Sequence, residues 1–101
     1  MVGMNKIKRI KNLDHLPNLQ GLDLNNNQIS KIENLKSLKE LRLLNLSNNS
    51  VTQIENLDGL VNLNELNLNK NRIEVVNGLS HVPNLQKLFL SDNKISSIEH
   101  I

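Results

Sequence analysis

The chain has no cysteine, tryptophan or tyrosine, and Phe89 is its one aromatic residue. Without cysteine there are no disulfide staples and no thiolate zinc site, so a domain of this size must be held by apolar contacts alone. A reducing compartment agrees with that usage. With so few aromatics the chain lacks the stacking platform on which single-stranded nucleic acids lie. Formal net charge is only +2, crowded at Lys6, Lys8, Arg9 and Lys11, and falls short of a basic stripe. No apolar run approaches the ~20 residues of a membrane-spanning helix, and Met1 to Ile10 lacks the apolar core of a secretory signal. Gly3, Gly21, Gly59 and Gly78 are scattered and form no phosphate-binding loop. These absences predict a soluble, cytoplasmic chain with neither a nucleic-acid nor a membrane partner.

What is present is leucine, isoleucine, valine and asparagine on a strict lattice. Leu16, Leu19, Leu22, Leu24, Asn27, Ile29, Ile32 and Leu35 return 22 residues later as Leu38, Leu41, Leu44, Leu46, Asn49, Val51, Ile54 and Leu57. The next shift gives Leu60, Leu63, Leu66, Leu68, Asn71, Ile73, Val76 and Leu79, and the next Val82, Leu85, Leu88, Leu90, Asn93, Ile95, Ile98 and Ile101. Counting backwards finds Val2, Asn5, Ile7, Ile10 and Leu13. Every hydrophobic residue except Met1, Met4, Leu43, Val61, Val75 and Phe89 sits on this lattice, which is therefore the expected core. Residues 1–101 read as one repeat domain, a partial unit 1–15 followed by 16–37, 38–59, 60–81 and 82–101, and as a segment of a longer array.

Spacing inside a unit predicts its shape. Leu22 and Leu24 alternate as in a short strand. Ile29, Ile32, Leu35, Leu38 and Leu41 are three apart, the period of 3₁₀ turns. A strand, a bend and a 3₁₀ or irregular return cannot bury their stripe alone, so units must stack. The expected fold is an α/β-type repeat solenoid, a right-handed coil with a short-strand parallel sheet on the concave side and return segments on the convex side. Asn5, Asn27, Asn49, Asn71 and Asn93 occupy the bend, where an inward amide can satisfy backbone groups left unpaired as the coil leaves the strand.

The segments LPNLQGLDLNNNQISKIENL and LKELRLLNLSNNSVTQIENL follow the pattern LxxLxxLxLxxNxIxxIExL. This resembles the 22-residue class of leucine-rich repeat proteins typified by a regulatory subunit of protein phosphatase-1. The resemblance covers essentially the whole chain. It implies a leucine-rich repeat fold and a choice of roles: phosphatase regulator, ciliary or cytoskeletal scaffold segment, or internalin-like bacterial surface adhesion module.

No catalytic constellation emerges. His15 and His81 share a repeat position three units apart, a separation of roughly 14 Å at ~4.8 Å per strand, too far to share a metal. Glu33, Glu55 and Glu99 recur at one lattice position and belong to the repeat. The expectation is a non-enzymatic protein-binding scaffold with no cofactor and no metal. Residues between the inward strand leucines face solvent on the concave side, in columns Gly21, Leu43, Glu65, Lys87 and Asp23, Asn45, Asn67, Phe89, then Asn25, Ser47, Asn69, Ser91. From these, Phe89, Leu43, Asp23, Glu65, Asn45, Asn67 and Lys87 are the candidate partner contacts. Phe89 leads, because aromatic side chains dominate binding energy at interfaces. Ile95, Ile98 and Ile101 end the last apolar stripe with no further unit over them, which predicts self-association through that end.

Overall fold

A computed structural model describes residues 6–99; Asn5 and Ile101, named above, lie outside the described residues. Four short strands, β1 (Gly21–Asp23), β2 (Leu43–Asn45), β3 (Glu65–Asn67) and β5 (Lys87–Phe89), form a parallel sheet in the order β1-β2-β3-β5. Their register is the sequence repeat itself: Leu22 pairs with Leu44, Leu44 with Leu66, and Leu66 with Leu88. Each unit is thus one coil of a solenoid. The central leucine of every strand turns inward while its two neighbours turn out, as the pleat requires.

The buried apolar residues, from Ile10 through Leu44 and Leu66 to Val82, are all lattice positions. The off-lattice residues Leu43, Val61 and Phe89 are exposed. Among the described lattice residues, Leu16, Ile95 and Ile98, in the first and last full units, are exposed.

Among the described residues the return segments contain no helix. The threefold spacing has two different origins. Between Leu35 and Leu41 it does reflect tight turns: the Leu38 N–H donates to Leu35 O at 2.9 Å and the Leu41 N–H to Leu38 O at 3.1 Å, with the same pair at Leu57–Leu63 and Leu79–Leu85. Between Ile29 and Leu35 no such bonds form. Extended chains can also advance three residues per turn, and β-branched Ile and Val favour them, so spacing alone could not separate the two. The last two coils take that extended preference furthest, pairing β4 (Val75–Val76) with β6 (Ser97–Ile98) as a second, parallel sheet on the convex side.

Besides a single further one at Gly59, two recurring positions carry a left-handed backbone. One follows the strand, at Asn26, Asn48, Lys70 and Asp92, and the other lies on the return, at Asn12, Asn34, Asn56 and Gly78. Asparagine and glycine are the residues that tolerate this conformation best. Lys70 is the outlier of its series by residue type, a lysine at φ of 59° where the other coils place Asn or Asp.

Each bend asparagine ties its own coil to the preceding one. Asn49 Oδ1 accepts the Ile29 N–H at 2.9 Å, while its Nδ2 donates to Leu24 O and Leu46 O, each at 3.0 Å, and to Ser47 O at 3.2 Å. Asn71 repeats the set one coil later with Val51, Leu46, Leu68 and Asn69, and Asn93 with Ile73, Leu68, Leu90 and Ser91. Asn27 begins the described series by accepting the Ile7 N–H at 3.1 Å.

Candidate functional site: the concave sheet

The register sets Leu43, Glu65 and Lys87 in one row beside Gly21, and Asp23, Asn45, Asn67 and Phe89 in the next. Proximity does not make them equally available. In β1, β2 and β3 the second-row side chain folds back on its own chain. Asp23 Oδ1 accepts the Asn25 N–H, Asn45 Oδ1 the Ser47 N–H and Asn67 Oδ1 the Asn69 N–H, each at 3.0 Å. Such side-chain-to-backbone turns are what Asp and Asn do where a strand ends. Because a backbone N–H can only donate, the amide oxygen must face it, and the NH₂ groups of Asn45 and Asn67 form no hydrogen bond among the described residues.

Phe89 breaks this series. It cannot accept a hydrogen bond, and the N–H it would leave bare, that of Ser91, is taken instead by Asn69 Oδ1 from the neighbouring coil at 2.8 Å. The fold has therefore replaced a structural oxygen with an aromatic ring and compensated from next door. The ring itself is 40% exposed, on the edge strand.

The carboxylates are partly engaged. Asp23 also receives the Asn25 side-chain amide in a short contact, and Glu65 lies 4.0 Å from the Lys87 ammonium across the sheet. Along the rim, Asn26 accepts from the amide of Asn48 and donates its own to Asn25. Lys70 and Asp92, which follow at that rim position, form no ion pair among the described residues. One half of the face is thus cross-linked by amides, while the half around Phe89, Lys70 and Asp92 carries the free groups.

One feature was missed from sequence. Beside β1 an apolar notch of about 510 Å³ is lined by Leu13, Leu16, Leu19, Leu22 and Leu43. Four of these are lattice leucines expected in the core. They line the notch because β1 is an edge strand of the described sheet.

The geometry is that of a leucine-rich repeat coil, and the chain belongs to that family: the model described as leucine rich repeats (two copies) matches residues 2–37, 17–60 and 61–101. No curated protein sequence matches it. Among solved structures it is similar to an internalin (inlF) from Listeria monocytogenes str. 4b F2365, with 32% identity and a TM-score of 0.79 over 98% of this chain. The chain spans 33% of that protein's length.

Proposed function

We propose that this chain is a non-catalytic scaffold that takes a partner protein on the concave sheet, with Phe89 as the anchor. The observation that carries this reading is the substitution at Phe89. An oxygen that the repeat uses to close its own turn has been exchanged for an exposed ring, and stability gains nothing from leaving that ring in water. Lys70, held in a left-handed conformation that asparagine occupies in earlier coils, borders the same region. Strain of this kind collects at functional surfaces.

Four strands at ~4.8 Å spacing present about 300 Å² of sheet face, against ~800 Å² per partner in a standard stable interface. The partner must therefore also touch the rim or the apolar notch beside Leu43. A phosphatase-regulator role would call for a dense acidic and aromatic patch. Here Asp23 is bonded to Asn25 and Glu65 sits beside Lys87, which disfavours that version. Likeness to an internalin supports a second reading, a surface adhesion module using the same face. Fractionation separates the two: recovery with the cell envelope favours adhesion, recovery in the cytosol an intracellular scaffold.

The test of the site is Phe89→Ala against a partner recovered by crosslinking. Binding should weaken by ~1–2 kcal/mol with the melting temperature unchanged, and Leu43→Ala should cost less. Full-strength binding by Phe89→Ala would remove the concave face from consideration.

A further inference from the structure

The convex side holds a departure from the repeat that the concave reading does not use. Segments 8–12 and 30–34 are joined by the Asn34 amide donating to Ile10 O at 2.8 Å and by the Arg9–Glu33 ion pair. Segments 30–34 and 52–56 are joined by the Asn56 amide on Ile32 O, also at 2.8 Å. Segments 74–78 and 96–99 are joined by backbone pairing, Ser96 N–H to Glu74 O and Glu99 N–H to Val76 O. Between 52–56 and 74–78 no hydrogen bond or ion pair is formed among the described residues.

Gly78 is the reason. It stands where Asn12, Asn34 and Asn56 stand, in the same left-handed conformation, but it has no amide to donate. A Cβ built there would lie 2.4 Å from Ile54 O, so the coils close directly onto the glycine and no asparagine fits without moving them. Around that contact the seam opens into a groove of about 660 Å³, whose walls include Thr52, Glu55, Asn56, Glu74, Asn77 and His81. No lysine or arginine lines it, and neither Glu55 nor Glu74 has an ion-pair partner among the described residues. β4 pairs with β6 on one side only, so its other edge, at Val75, borders the groove.

We propose that this groove is a second docking site, taking an extended, arginine-bearing segment of a partner protein. The groove offers acceptors of negative sign, the carboxylates of Glu55 and Glu74, and no lysine or arginine lines it to satisfy them. A guanidinium is the complementary group, planar, permanently charged and carrying only donors. The open β4 edge would hold the backbone of an extended segment by strand addition while its arginine enters the groove.

The test uses a tetra-arginine peptide as probe and follows the backbone amides of the full chain by NMR. Shifts should concentrate at 52–56 and 74–81 and spare Asn45, Asn67 and Phe89. Glu55→Gln with Glu74→Gln should weaken binding about fivefold or more, while the melting temperature holds, because neither carboxylate is used within the fold. Removing two charges elsewhere, with Glu40→Gln and Asp92→Asn, should change it less than about twofold. A tetra-lysine peptide should bind more weakly. Shifts centred on Asp23 and Glu65, equal losses in the two double variants, or equal affinity for tetra-lysine would each overturn the assignment.

Discussion

Removing one bend asparagine and then two makes a sharp test, because the amides share acceptors. Asn49→Ala takes away the acceptor of the buried Ile29 N–H and donors to Leu24 O and Leu46 O. Those two carbonyls are not stranded, however, since Asn27 also donates to Leu24 O at 2.9 Å and Asn71 to Leu46 O at 2.9 Å. The single variant therefore strands one buried donor, at a cost of ~1–3 kcal/mol, and Asn71→Ala does the same to Val51. When both are removed, Leu46 O loses both of its side-chain donors. The pair should then exceed the sum of its singles by about 1 kcal/mol or more. Asn49 and Asn93 share no carbonyl, so that pair should add within ~0.5 kcal/mol. Urea titrations of the three singles and two doubles give the numbers, provided the m-value is constant across the set. Unchanged midpoints in the singles, or equal coupling in both pairs, would refute the shared-carbonyl account.

Two further outcomes follow from the ends of the solenoid. The hydrogen bond from Arg9 holds the Glu33 carboxyl below the usual carboxylate range. A carboxyl whose folded value is depressed stabilises the protein above its unfolded pKa and loses that contribution as pH falls through the folded one. Wild type should thus melt above Glu33→Gln at neutral pH, and the gap should close under acid; thermal melts across that range check it, and a gap that persists in strong acid would refute it. At the other end Ile98 is 65% and Ile95 37% exposed, so light scattering should show mass rising with concentration and Ile95→Lys with Ile98→Lys should abolish the rise. Concentration-independent monomer in the wild type would count against association there.

The core was legible because a solenoid imposes one rule on every coil. Once Leu22 and Leu44 are known to be equivalent, their pairing in the sheet follows, and so do the outward rows that contain Asp23 and Phe89. The return was less legible. Tight turns at Leu35–Leu41 and extended chain at Ile29–Leu35 bury apolar residues at the same interval, and only the hydrogen bonds distinguish them. The convex sheet was not foreseen at all, although Val75, an off-lattice β-branched residue beside Val76, is the sequence feature that favours it.

The same regularity explains why the candidate sites were only half visible. A repeat specifies what each coil needs in order to stack, so information about partners resides where a coil departs from the pattern without departing from the fold. Phe89 was readable as such a departure because a lone aromatic stands out, but its compensation by Asn69 is visible only in three dimensions. Gly78 is not readable from the glycines as a scattered class; compared instead with Asn12, Asn34 and Asn56, it marks the seam between 52–56 and 74–78, where no asparagine amide joins the described coils. Both exchanges remove a structural hydrogen bond and leave polar or apolar surface in its place. On this argument the two faces are separable. Changing Phe89 should leave the groove at Glu55 and Glu74 intact, and filling that groove should leave the concave sheet unaltered, because a leucine layer, fully buried in the central coils, lies between them.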